Sequence, residues 1–178
     1  MKKLYLLFLA VMTIFVFTAC DNGQNPENSN ENIPPEINDT PGVPSVFSFK
    51  MGEVNIEMDE DISAIIGKLG EPLGILEQPS CAFDGTDRIF SYPGVQIYTY
   101  PKGDADHIHT IGFFDDSVFT TEGKIRLGSN IQAAIDAYGN DYKYETGMYT
   151  FTRGLTFLEF LVDDDIIIGI TYRLHLDL

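Results

Sequence analysis

His107 and His109 stand two residues apart in a stretch that reads as a strand, so both side chains share a face. With Asp104 and Asp106 just before them, they have the donor types of a divalent-metal site. Two features oppose that reading. Asp104 and Asp106 suit the turn Gly103-Asp104-Ala105-Asp106, and the matching later stretch carries Ile166 and Ile168 instead of histidines. Asp115-Asp116 and Asp163-Asp164-Asp165 lack the ligand spacing and glycine of a calcium loop, and read as solvated turns. No metal site and no cofactor is therefore expected. There is no G-x-S-x-G elbow, phosphate loop or H-E-x-x-H motif. No catalytic residue is assigned, and the chain is not expected to be an enzyme. The remaining candidates are Tyr92, Tyr98 and Tyr100, grouped in one expected hairpin. Exposed tyrosine buries much area at little entropic cost, so these three are read as a partner-binding surface.

Cys20 is the other residue placed for chemistry. Lys2 and Lys3 precede an apolar run over residues 4–17, too short for a comfortable membrane span. Phe17-Thr18-Ala19-Cys20 then places small residues before a cysteine. This pattern resembles the lipobox of bacterial lipoproteins, with Phe17 where leucine is usual. The resemblance implies cleavage after residue 19, a diacylglyceryl thioether on Cys20, and a lipid-anchored protein facing outside the cytoplasm. Residues 1–19 are thus read as a lipoprotein signal peptide. Residues 20–46 are read as the lipidated cysteine and a disordered linker, rich in asparagine and proline and poor in apolar side chains. With Cys20 taken by lipid, no intrachain disulfide is expected, and Cys81 is expected as a small buried hydrophobe.

The chain has 178 residues and a formal charge of −16, and losing Lys2 and Lys3 with the signal takes it to −18. Such acidity disfavours nucleic acid and anionic polymers and favours cations and basic partners. The expected partners are the membrane, through the lipid, and an envelope or secreted protein. No nucleic acid is expected.

The elements that must position these residues occur twice. Residues 62–69 and 131–138 carry apolar side chains at helical spacing, Ile62, Ile65, Ile66 and Leu69, then Ile131, Ala134, Ile135 and Tyr138. Asp59 or Asp61 is expected to cap the first helix, and Ser129 the second, in a capping box with Gln132. Gly70 and Gly139 stand where left-handed stops are needed. A glycine-turned extended piece precedes each helix, over residues 49–56 and 120–127. Each helix is followed by a hairpin (89–92 with 95–100, 148–152 with 155–160) and a closing strand (107–113, 166–172). The expected fold is α+β, two tandem repeats over residues 47–116 and 117–178, each one helix on a small antiparallel sheet.

The helix exit Leu69-Gly70-Glu71-Pro72 before an aromatic-rich sheet, and Leu127-Gly128-Ser129 through Tyr138-Gly139, resemble the repeat of β-lactamase-inhibitor-protein-like folds and of SmpA/OmlA-type assembly lipoproteins. Tandem copies behind a lipobox resemble clostridial-type lipoproteins. The resemblance implies a non-catalytic binding or scaffolding module. The alternatives are an inhibitor of a secreted hydrolase, then a small metal-binding protein or hydrolase.

Overall fold

The computed structural model describes residues 45–176, and the expected signal peptide, Cys20 and the expected linker up to residue 44 lie outside them. Strands β1 (Ser48–Met51) and β2 (Val54–Glu57) form a hairpin, followed by helix α1 (Ile62–Leu69). Four strands then run as a meander: β3 (Gly74–Pro79), β4 (Thr86–Tyr92), β5 (Val95–Lys102) and β6 (Ala105–Phe113). Helix α2 (Ile131–Tyr138) precedes a second meander, β7 (Tyr142–Glu145), β8 (Met148–Arg153), β9 (Thr156–Asp163) and β10 (Ile166–Leu174).

Both helices end as their glycines require. Gly70 and Gly139 take φ of 85° and 92°, and their N–H groups donate to Ile66 O and Ile135 O at 2.8 Å. Asp61 caps α1 by accepting from Ser63 N at 2.9 Å. The cap of α2 is Asn130, accepting from Gln132 N at 2.8 Å, and not Ser129. Ser129 Oγ instead accepts from Arg126 N at 3.2 Å, within the preceding turn.

The expected pair of α+β repeats, each with its own small sheet, is not the fold. The structure is mostly β, with two short helices, and both meanders join one eight-stranded antiparallel sheet in the order β3-β4-β5-β6-β10-β9-β8-β7. Each meander alone would leave one edge of its last strand open. Here those edges meet: Thr110, Ile111 and Gly112 of β6 pair with Arg173, Tyr172 and Thr171 of β10. The extended piece expected at 120–127 is a turn rather than a strand, closed by Thr120 N donating to Ile125 O at 2.8 Å. Strands β3 and β7, the two edges, had no counterpart in the sequence reading.

Pairing register shows which side chains share a face. One row crosses all eight strands: Ile75, Phe90, Ile97, Ile111, Tyr172, Leu158, Phe151 and Tyr142. Its six central members are buried. They form a single core with Ile62 and Ile65 of α1, Ile131 and Ala134 of α2, and Phe49 and Ile56 of the β1–β2 hairpin. Phe49 lies 5.2 Å from the Phe113 ring and 5.9 Å from Tyr172, so it packs across the β6–β10 seam. Phe47 N donates to Thr156 Oγ1 at 2.7 Å, tying the first segment to the second meander. Arg153 pairs with both carboxylate oxygens of Glu122 and lies 4.3 Å over the Phe47 ring.

Phe49→Ala should therefore weaken both halves at once. Urea unfolding should remain a single transition with stability reduced by about 3–5 kcal/mol. Two separated transitions would mean that the halves fold independently.

Candidate functional site

The face of the sheet turned away from the helices carries its own registered rows. Leu76, Ile89, Tyr98, Thr110, Arg173, Phe157 and Thr152 lie side by side from β3 to β8. Leu161 and Met148 continue it on β9 and β8. All of these are half-buried or exposed. Arg173 donates to Glu159 Oε1 at 2.6 Å, and its guanidinium sits 4.5 Å over the Phe157 ring. Tyr98 donates its hydroxyl to Gln96 Oε1 at 2.8 Å. Apolar and aromatic groups thus stand in a shallow band, steadied by polar neighbours on the same face.

The three expected tyrosines have different placements. Tyr98 is half-buried on this open face. Tyr92 is 7% exposed beside Val95 on the core face, and its hydroxyl donates to Gly70 O at 2.9 Å, bracing the end of α1. Tyr100 is 6% exposed, with its hydroxyl on Asp59 Oδ1 at 2.7 Å and its ring 4.9 Å from Phe83. Burial and the Asp59 carboxylate both push the Tyr100 hydroxyl pKa up. Tyr92 and Tyr100 are therefore bracing groups, and Phe157, Ile89 and Arg173 take their place on the surface.

His107 and His109 part company. His107 Nδ1 donates to the Asp59 carbonyl at 2.6 Å and lies 3.2 Å from Asp59 Oδ1, while Lys102 Nζ takes Asp59 Oδ2 at 2.6 Å. An antiparallel bridge joins His107 to Asp61, so this histidine anchors the entry to α1. Burial works to raise the Asp59 pKa, but the hydrogen bonds from Lys102 and Tyr100 outweigh it and hold the carboxyl low. Asp106 pairs with Arg88, whose Nε also donates to Glu77 Oε1 at 2.7 Å. Among the described residues, no group of three or more His, Cys, Asp or Glu side chains is gathered for a metal.

His109 lines a cleft of about 400 Å³ at one end of the open face. Ser80, Ala82 and Phe83 of the β3–β4 loop form one wall, and Arg173, Leu174, His175 and Leu176 form another, with Asp87 and Tyr100 completing the lining. His109 Nδ1 lies 2.8 Å from Thr110 Oγ1. Burial lowers the His109 pKa, and the Asp87 charge opposes this without overcoming it. Asp87 Oδ1 is buried and has no hydrogen-bond partner among the described residues. Nothing local in the sequence marks Asp87, because only the tertiary structure brings it into one cleft with Tyr100 and His109.

Cys81, in the β3–β4 loop beyond the sheet edge, is exposed, not the small buried hydrophobe expected. No protein-family model, curated protein or solved structure matches the chain.

The lowered His109 pKa has a definite sign. The unfolded chain takes up a proton at this residue at higher pH than the folded chain does. Its contribution is full above the ordinary value near 6.5 and declines as pH falls through it towards the lower folded value. The variant His109→Gln removes that window. The melting temperature of wild type relative to the variant should decline from about pH 7 to about pH 5. A pH-independent difference would contradict it.

Proposed function

We propose that this chain is a bacterial lipoprotein, anchored outside the cytoplasm by an acylated Cys20. Its folded part binds another protein, without catalysis, through the open face of the sheet. The observation that carries this reading is the band of Ile89, Tyr98, Arg173 and Phe157 on the one sheet face that neither helix covers. Aromatic groups and an arginine, the latter held by Glu159, have the composition of an interface centre. The net charge, −16 for the whole chain and −18 without Lys2 and Lys3, favours a partner with basic groups around its contact surface.

The anchor rests on Cys20 standing where the apolar run ends. Two acyl chains, at about 0.8 kcal/mol per buried methylene, hold a protein firmly to a bilayer. The chain has two cysteines, so a thioether at Cys20 and an intrachain disulfide at Cys81 exclude one another. Mass spectrometry of the membrane form should find the acyl mass on an N-terminal Cys20, and Cys20→Ser should release the protein to the soluble fraction. An unmodified Cys20 in the membrane form would overturn the anchor.

The double variant Tyr98→Ala with Phe157→Ala tests the binding face. Pull-down from detergent-solubilised membranes should lose the captured protein, because losing two hot-spot aromatics costs about 2–4 kcal/mol or more of binding. A circular-dichroism spectrum like that of wild type would show that the sheet survives. Undiminished capture by the variant would refute this face as the contact. A captured hydrolase would point to inhibition, and an envelope assembly component to scaffolding.

A further inference from the structure

We propose that the cleft between the β3–β4 loop and the C-terminal end of β10 binds a primary ammonium group on an aliphatic stem. Asp87 Oδ1 is the one buried side-chain acceptor left unmatched among the described residues, and Asp87 lines this cleft. The neighbouring polar groups are already engaged. Arg173 is paired with Glu159 through both Nε and Nη2, and Tyr100 donates its hydroxyl to Asp59. His109 is held towards its neutral form by burial, with Nδ1 in contact with Thr110.

A ligand here must therefore donate, and it must tolerate or prefer a negative partner. Beside the Asp87 carboxylate this disfavours carboxylates and phosphates. An ammonium answers the carboxylate with charge as well as with a hydrogen bond. Phe83 and Tyr100, with ring centroids 4.9 Å apart, supply aromatic surface suited to a cation and its methylenes. A guanidinium is a poorer match, because its planar fork must reach both carboxylate oxygens at once and Asp87 Oδ1 is buried. The cleft, at about 400 Å³, accepts a butyl-sized stem.

The same chemistry can come from a free amine or from a lysine side chain of a protein. The two sources are distinguished by titrating the folded chain with n-butylammonium and, separately, with a short capped peptide carrying one lysine. Nuclear magnetic resonance should show saturable shifts at Phe83, Asp87, Tyr100 and His109. The near-isosteric Asp87→Asn should weaken binding by about tenfold or more with its remaining spectrum unchanged. Tighter binding of the peptide assigns the site to a lysine side chain, and tighter binding of n-butylammonium assigns it to a free amine. Unsaturable shifts spread over the acidic surface, equal binding by n-butanol, or undiminished binding to Asp87→Asn would each overturn the proposal. So would unaltered spectra, since the cleft would then take up no ammonium group. None of these readings depends on whether the open face captures a protein.

Discussion

Three residue pairs between β6 and β10 hold the architecture together. At the centre of that seam Ile111 faces Tyr172, both buried, and Phe49 from the N-terminal hairpin packs over the joint. Without the seam, each four-stranded meander would present an open strand edge and half of an apolar face to water. With it, the rows of the two meanders become one row, and two helices of eight residues cover the resulting core together with the β1–β2 hairpin. Helices this short are not stable alone and depend on the packing they provide.

The seam is also short, and this creates the cleft. Beyond Thr110, β6 leaves β10 and pairs instead with the entry to α1, where Asp59 N donates to Ile108 O and Ile108 N to Glu60 O. β10 continues through Leu174, so the two strands diverge around His109. At the opposite end β10 parts from β6 in the same way and pairs with the entry to α2, with Gly128 N on Ile167 O and Ile167 N on Ser129 O. The side chains at that end are Ile166 and Ile168, both exposed, so the matching position carries no titratable pair. Equal backbone solutions thus support unequal chemistry, and only the end holding Asp87 and His109 has polar groups set among aromatic walls.

Sequence reading was strongest where an element is decided by its neighbours in the chain. Both helices lie at the expected residues, and Gly70 and Gly139 end them as expected. The hairpins of β4 with β5 and β8 with β9, and the strands β6 and β10, also lie where turn residues and β-branched runs put them. It failed at β3, whose six residues are all exposed and show no alternation, and at β7, only four residues long. Such edge strands are created by the neighbour they join. It failed too at the α2 cap, where Ser129 and Asn130 both suit capping and the turn back to Arg126 claims the serine.

The sequence by itself determined the pieces: two capped helices, most of the strands, and a strongly acidic surface. Turn chemistry and apolar spacing act over a few residues, and those forces are present in any window of the chain. Tertiary structure alone decided that the pieces form one sheet, that Tyr98 stays accessible while Tyr92 and Tyr100 are covered, and that Asp87 meets His109 in a cleft. Those outcomes depend on which strand lies beside which and on what covers each face. Partners distant in the chain decide both, and no local pattern records them.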